Sequence, residues 1–177
     1  MSDFLSWTLE NIRNGGNFMA WMEDRRLEWA PLMAARLKYL LEGRAFVVFC
    51  DEKRAWYEEY FLQHINAKPT RPMLPFVSLR TLCRTPIKTS EDIALLNDLL
   101  ELSFPKGYVY FYIGTASDKK SLIARSKDDS LLWLFDEQLQ NSFYLNSKDA
   151  DLDLKLVSLY QLFDKSLDAI LFSKVSL

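Results

Sequence analysis

Five glycines in 177 residues are few for an α/β enzyme that cradles phosphate, because such sites need glycine where backbone N–H groups approach the anion. Histidine occurs once. His64 lies on the apolar stripe of an expected helix with Tyr57, Tyr60 and Phe61, and no nucleophile or orienting carboxylate can be matched to it. A core or interface histidine is expected there, not a catalytic base. Cys50 and Cys83 stand alone, without a CxxC pair or a Cys/His cluster, so free thiols in a reducing compartment are expected and neither a disulfide nor a metal site is. A basic excess is also missing: the formal net charge is −2 and the isoelectric point is near 5.5. Direct binding to DNA or RNA is not expected of such a chain, since neutralised phosphates supply most of that affinity. No uninterrupted apolar run approaches the roughly 18 residues of a membrane span, and MSDFLSWTLEN has no charged segment leading into an apolar one. The expectation is a soluble cytoplasmic protein with no membrane contact.

What is present is a large apolar inventory. Hydrophobic residues make up 49% of the chain and aromatic residues 14%, enough for a sizeable core in a single domain spanning 1–177. Residues 3–14 read as a short amphipathic helix ended by Gly15-Gly16. Asn17 can cap a second helix to about residue 42, kinked or restarted at Pro31 and closed by Gly43. Ala45–Cys50 (AFVVFC) predicts a strand buried on both faces, and Asp51 a cap for a helix to about Ile65. Residues 73–79 predict a second strand, which Pro75 places at an edge. Thr89 or Ser90 caps a helix to about Leu102, and Tyr108–Ile113 (YVYFYI) is the clearest strand. Residues 114–117 turn into a short helix. Leu131–Phe135 reads equally as strand or buried helix, Phe143–Leu145 as a weaker strand, and 151–172 as a long helix. This alternation implies crossover connections and a mainly parallel sheet.

In such folds ligands sit beyond the carboxyl ends of the strands, near the point where strand order reverses. After the first strand the chain reads Cys50-Asp51-Glu52-Lys53-Arg54, with two carboxylates and no glycine. After the third it reads Gly114-Thr115-Ala116-Ser117-Asp118, which fits a turn and helix cap better than an anion nest. No catalytic residues, no metal ligands and no cofactor are assigned. Lys68, Arg71, Arg80, Arg84 and Lys88 form a basic stretch without an intervening acid. Trp7, Trp21 and Trp29 crowd the N-terminal helices, 3–42, which predicts that those helices contribute to subunit contacts. On the C-terminal helix Leu152, Leu156, Leu159, Phe163, Leu167 and Ile170 share one face, with Leu171 at its edge. Phe172 points almost opposite, toward the side of Leu154. An aromatic off the core stripe can cover a neighbouring subunit, pack under a loop or meet a partner.

Three segments carry a resemblance. RAWYEEYFLQHIN (54–66), SLLWLFDEQL (130–139) and DLDLKLVSLYQLF…LFSKVSL (151–177), in this order and spacing, resemble the HobA family, the DnaA-associating proteins of the Helicobacter and Campylobacter group. The resemblance implies a three-layer, sugar-isomerase-like α/β sandwich of flavodoxin/Rossmann type, with a five-stranded parallel sheet flanked by helices. It further implies a homotetramer and a non-catalytic adaptor that binds the N-terminal region of the initiator DnaA and promotes its assembly at the chromosomal origin. DNA would then be reached only through DnaA. Related proteins with true sugar-phosphate sites carry Gly/Ser-rich loops where this chain has Asp51-Glu52 and Gly114–Ser117. The alternative function is a divergent sugar-phosphate isomerase or sugar-phosphate-binding domain. On the adaptor reading Leu171 and Phe172 belong to the DnaA-docking surface, with Lys174 at its rim.

Overall fold

The apolar runs become the strands of a five-stranded, all-parallel sheet in a computed structural model that describes residues 2–177. In chain order the elements are β1 (Ser2–Asp3), α1 (Phe4–Asn14), α2 (Arg26–Leu41), β2 (Ala45–Cys50), α3 (Ala55–Ile65), β3 (Phe76–Ser78) and α4 (Leu79–Leu82). They continue with α5 (Ser90–Ser103), β4 (Tyr108–Thr115), α6 (Lys119–Ala124), β5 (Leu131–Phe135), β6 (Ser142–Leu145), α7 (Leu152–Leu171) and β7 (Val175–Ser176). Two compact units are distinguished. Tyr39–Leu145 forms one, and the segment up to Lys38 joins Asn146–Leu177 in the other.

In the sheet unit the order is β3-β2-β4-β5-β6, so the topology reverses between β2 and β4. All six residues of β2 and all five of β5 are buried, as a parallel strand covered on both faces requires. One face carries Val47, Phe49, Tyr110, Tyr112 and Leu134 against Leu96 and Leu100 of α5 and Ile123 of α6. On the opposite face Phe61 of α3 packs edge-on to Phe111 at 5.4 Å and beside Phe76 at 5.7 Å, and Phe111 meets Trp133 at 4.8 Å. Helices therefore flank both faces. Leu131–Phe135, ambiguous in the sequence, is a strand. Pro75 lies just before the edge strand β3, and its carbonyl accepts the Phe46 N–H.

One connection departs from the expected crossovers. β5 and β6 are adjacent and parallel, yet only residues 136–141 join them. Asp136 and Asn141 adopt left-handed conformations, with φ of 63° and 60°, at the two ends of this return. Asp and Asn tolerate that region better than other side-chain-bearing residues, which lets a short segment replace a crossover helix.

In the other unit Asp3 caps α1 by accepting the Ser6 N–H at 3.2 Å, and α1 lies against α7. β1 and β7 pair in parallel, with Ser2 opposite Val175 and Asp3 opposite Ser176. The helix expected from Asn17 begins only at Arg26. Residues 16–22 form two 3₁₀ turns instead, and α2 then runs through Pro31 without a break in assignment. Gly43 does close that stretch, at φ 82°. Trp29, Met22 and Met33 are fully buried within this chain, so most of the N-terminal aromatic and methionine inventory serves its own core.

Candidate functional site

The reversal of strand order between β2 and β4 is where an α/β sheet of this type would take a ligand. Here the chain's own groups engage the two strand ends, and a pocket of about 220 Å³ lies open beside them, lined in part by Phe49, Glu58, Arg80, Cys83 and Lys120. Asp51 leaves the end of β2 and its carboxylate accepts the Arg54 N–H at 3.1 Å, capping the 3₁₀ turn that leads into α3. The same carboxylate accepts the Thr115 N–H from the end of β4 at 2.9 Å and pairs with the Arg54 guanidinium at 2.7 Å. Asp51 and Arg54 are both buried, and the guanidinium stacks over Phe135 at 3.9 Å. Lys120 of α6 donates to the Cys50 carbonyl at 3.1 Å and to Glu52 at 2.9 Å. A backbone N–H and a lysine that could greet an anion are thus already engaged by carboxylates and a carbonyl of the chain.

Gly114 makes room for these contacts. A Cβ there would lie 2.4 Å from the Tyr112 hydroxyl and 2.9 Å from the Asp51 carboxylate. The Tyr112 hydroxyl in turn donates to the Thr115 carbonyl at 2.9 Å. On the α3 side of β2, buried Glu58 accepts the Cys50 N–H at 3.2 Å and the Ser78 hydroxyl at 2.7 Å, tying β2 to β3. Burial, reinforced by the Glu58 carboxylate, pushes the Cys50 thiol well above its ordinary value, which keeps it protonated and a poor nucleophile. Burial also raises the phenols of Tyr108, Tyr110 and Tyr112, and Asn97 of α5 accepts the first two, at 3.0 and 2.7 Å. Among the described residues no three His, Cys, Asp or Glu side chains are grouped so as to hold a metal ion, and no helix is long and apolar enough to cross a membrane.

His64 is exposed, which corrects the core half of the core-or-interface expectation. Tyr57, Phe61 and Ile65 take the buried stripe of α3, and His64 sits off it, its Nδ1 2.7 Å from the Tyr60 carbonyl and its ring 4.3 Å from the Tyr60 ring.

The residues predicted to dock a partner lie at the end of α7. Leu156, Leu159, Phe163, Leu167 and Ile170 are buried as the spacing predicts. Phe172 caps the helix and is 49% exposed, with Leu171 half-buried beside it and Lys174 exposed two residues on. Ser173 takes a left-handed φ of 51°, the Lys174 N–H returns to the Ala169 carbonyl at 2.8 Å, and β7 then pairs with β1. The turn that presents Phe172 is therefore fixed on both sides. At 100° per residue Leu154, Gln161, Lys165 and Phe172 fall along one outer face of the helix. The upper part of that face borders a groove of about 260 Å³, closed on the other side by Asn11, Phe18 and Met19. Phe18 escaped the sequence reading because the turn that exposes it was taken for a helix. A second exposed row, Leu95, Leu99 and Leu102 of α5, also escaped it, although a helical projection of 90–103 reveals it.

The sequence profile of the HobA family, described as a DNA replication regulator, matches residues 1–177. The DNA replication regulator protein HobA of Helicobacter pylori is 30% identical over 184 residues, an alignment that covers 100% of both chains. Among solved structures, the crystal structure of a HobA–DnaA (domain I-II) complex from Helicobacter pylori superposes with a TM-score of 0.78 at 30% identity, covering 100% of each chain. The crystal structure of HobA from the same organism gives 0.75 at 28% identity, covering 100% of this chain and 99% of that one.

Proposed function

Since the chain belongs to the HobA family of DNA replication regulators, we propose that it is a non-catalytic adaptor that binds the N-terminal region of DnaA and promotes its assembly at the replication origin. The observation that carries this is end-to-end similarity to a protein solved in complex with DnaA domains I and II. Engagement of the Thr115 N–H and Lys120 by the chain's own oxygens supports the non-catalytic part. A sugar-phosphate site at the same place would have to displace a buried Asp51–Arg54 pair first. With a net charge of −2 the protein reaches DNA through DnaA, in the cytoplasm, without cofactor or membrane.

Leu171 and Phe172 form the docking surface on this reading, with Lys174 at its rim. Exposure of a large aromatic at a fixed helix end, with polar neighbours around it, is the pattern of an interface anchor. The protein works as a single functional domain and as a homotetramer, which gathers several initiators and raises their effective concentration. Because Trp29, Met22 and Met33 are internal, the contribution of residues 3–42 to subunit contacts rests on exposed Phe18, Leu27 and Leu41. The test is capture of the N-terminal region of DnaA from the same organism. Phe172→Ala is expected to weaken capture about 30-fold, the equivalent of ~2 kcal/mol, with oligomeric state and melting temperature unchanged. Normal capture by that variant, or loss only through dissociation of the oligomer, refutes the assignment.

A further inference from the structure

We infer that the pocket beside the end of β2 binds a small carboxylic acid with an apolar body, at a site separate from the proposed DnaA-docking end of α7. The pocket holds about 220 Å³, less than the roughly 300–1,000 Å³ that drug-sized ligands fill, so it suits one ring or a short branched chain. It lies where an open parallel sheet takes ligands, beyond the carboxyl ends of the strands at the reversal between β2 and β4. Phe49, near the end of β2, and Leu79, the first residue of α4, line it and are both buried. Pro86 and Ile87, in the loop after α4, add to the apolar lining. Uncharged hydrogen-bonding side chains are limited to Thr85 and Cys83, and the Cys83 thiol already donates to the Thr85 carbonyl at 3.4 Å. A polyol is poorly served by such walls, whereas a hydrocarbon body is buried by them.

The charged groups set the sign of the ligand. Arg80, Arg84 and Lys120 line the pocket against one acid, Glu58. Glu58 is buried, and both its oxygens are taken, by the Ser78 hydroxyl and the Cys50 N–H. Arg80 and Lys120 each meet an acid outside the lining: Glu59 lies 3.8 Å from Arg80, and Glu52 lies 2.9 Å from Lys120. Both acids are exposed, so these pairs are weakly held and can give way to a ligand carboxylate. Arg84 has no such acid; among the described residues its side chain makes no hydrogen bond or ion pair. An unmatched guanidinium beside apolar walls suits a carboxylate, which it grips with two parallel N–H bonds. The mouth already favours that group: Lys120, by hydrogen bond and charge, and then Arg80, by charge, hold the exposed Glu52 carboxyl below its ordinary value. The fixed charge of Glu58 disfavours a doubly charged phosphate ester relative to a single carboxylate. The apolar part of the ligand therefore enters over Phe49 and Leu79, and its carboxylate stays at Arg84.

The experiment is calorimetric titration of the full chain with phenylacetate, with its neutral isostere phenylacetamide, and with a sugar phosphate, glucose 6-phosphate. Phenylacetate is expected to bind with a dissociation constant of about 1 mM or tighter, and the other two at least about tenfold more weakly. Cys83 reports the location, because its partly exposed thiol lines the pocket. Phenylacetate is expected to slow the reaction of that thiol with a thiol reagent in proportion to occupancy. Arg84→Gln, at an exposed position without a partner, is expected to weaken phenylacetate binding about tenfold and to leave the melting temperature unchanged. Absence of binding at millimolar phenylacetate, equal binding of the amide, or tighter binding of the sugar phosphate overturns the site. So does binding that leaves Cys83 as reactive as before, or that Arg84→Gln does not weaken. Failure of wild-type protein to capture DnaA sinks the adaptor reading alone and leaves the titrations to decide this one.

Discussion

Replacing Asp51 by alanine tests whether the end of β2 is a closed structural joint. The substitution removes the acceptor of two backbone N–H groups, those of Arg54 and Thr115, and the counter-ion of a buried guanidinium. Losing one partner of a buried ion pair costs about 3–5 kcal/mol, because the remaining charge stays desolvated. Since roughly 1 kcal/mol moves the melting temperature of a chain this size by about 2–4 °C, a fall of ~6–20 °C is expected. Arg54→Met in the same background removes the stranded charge while keeping an apolar stem over Phe135, and is expected to recover part of the loss. Urea titration of wild type, both single variants and the double variant gives the coupling between the two residues. DnaA capture measured well below the lowered melting temperature should match wild type, because Asp51 acts in the fold and is not among the residues proposed to dock DnaA. The reasoning is refuted by a cost under about 1 kcal/mol for Asp51→Ala, or by single losses that simply add in the double variant.

Two further outcomes are expected. Burial holds the Tyr108 phenol at about 12, against an ordinary 10.0, and pushes Tyr110 and Tyr112 up as well. A group whose folded pKa is raised contributes stability that is fully present below its unfolded value and lost as pH rises through the folded one. The urea midpoint should therefore decline between pH 10 and about 12 and recover part of that decline in Tyr110→Phe; a midpoint that is level across the window contradicts this. For the thiols, buried Cys50 and partly exposed Cys83 predict one rapid equivalent with a thiol reagent in native protein, removed by Cys83→Ser, and a second only in denaturant. Two rapid equivalents in native protein contradict it.

Elements whose cause is local were legible in the sequence. Continuous apolar runs marked β2 and β4; Thr89, one of the two caps the sequence offered, starts α5; and Gly43 ended α2 where its positive φ was needed. Residues 16–25 were not legible, because 3₁₀ turns and helix share the same apolar spacing over so few residues. The short return between β5 and β6 was hidden for another reason: it depends on left-handed Asp136 and Asn141, whose identities permit that conformation without demanding it. At the candidate sites, the off-core direction of Phe172 followed from helical periodicity alone, and the structure leaves it exposed. Asp51 showed only its local half. Its role as a cap follows from position, whereas its bond to Thr115, 64 residues away, exists only once β2 and β4 are neighbours.

The pairing of β1 with β7 has a consequence for synthesis. During translation Tyr39–Leu145, the sheet unit, is complete in sequence before any of residues 146–177 has been made, whereas the other unit needs segments from both sides of it. The residues before Tyr39 must wait, with α1 lacking its neighbour α7, until that helix and β7 emerge. The turn bearing Phe172 follows α7 in the chain and is held on its far side only once Val175 pairs with Ser2. A chain that stops before Val175 therefore lacks the pairing that holds this turn on its far side.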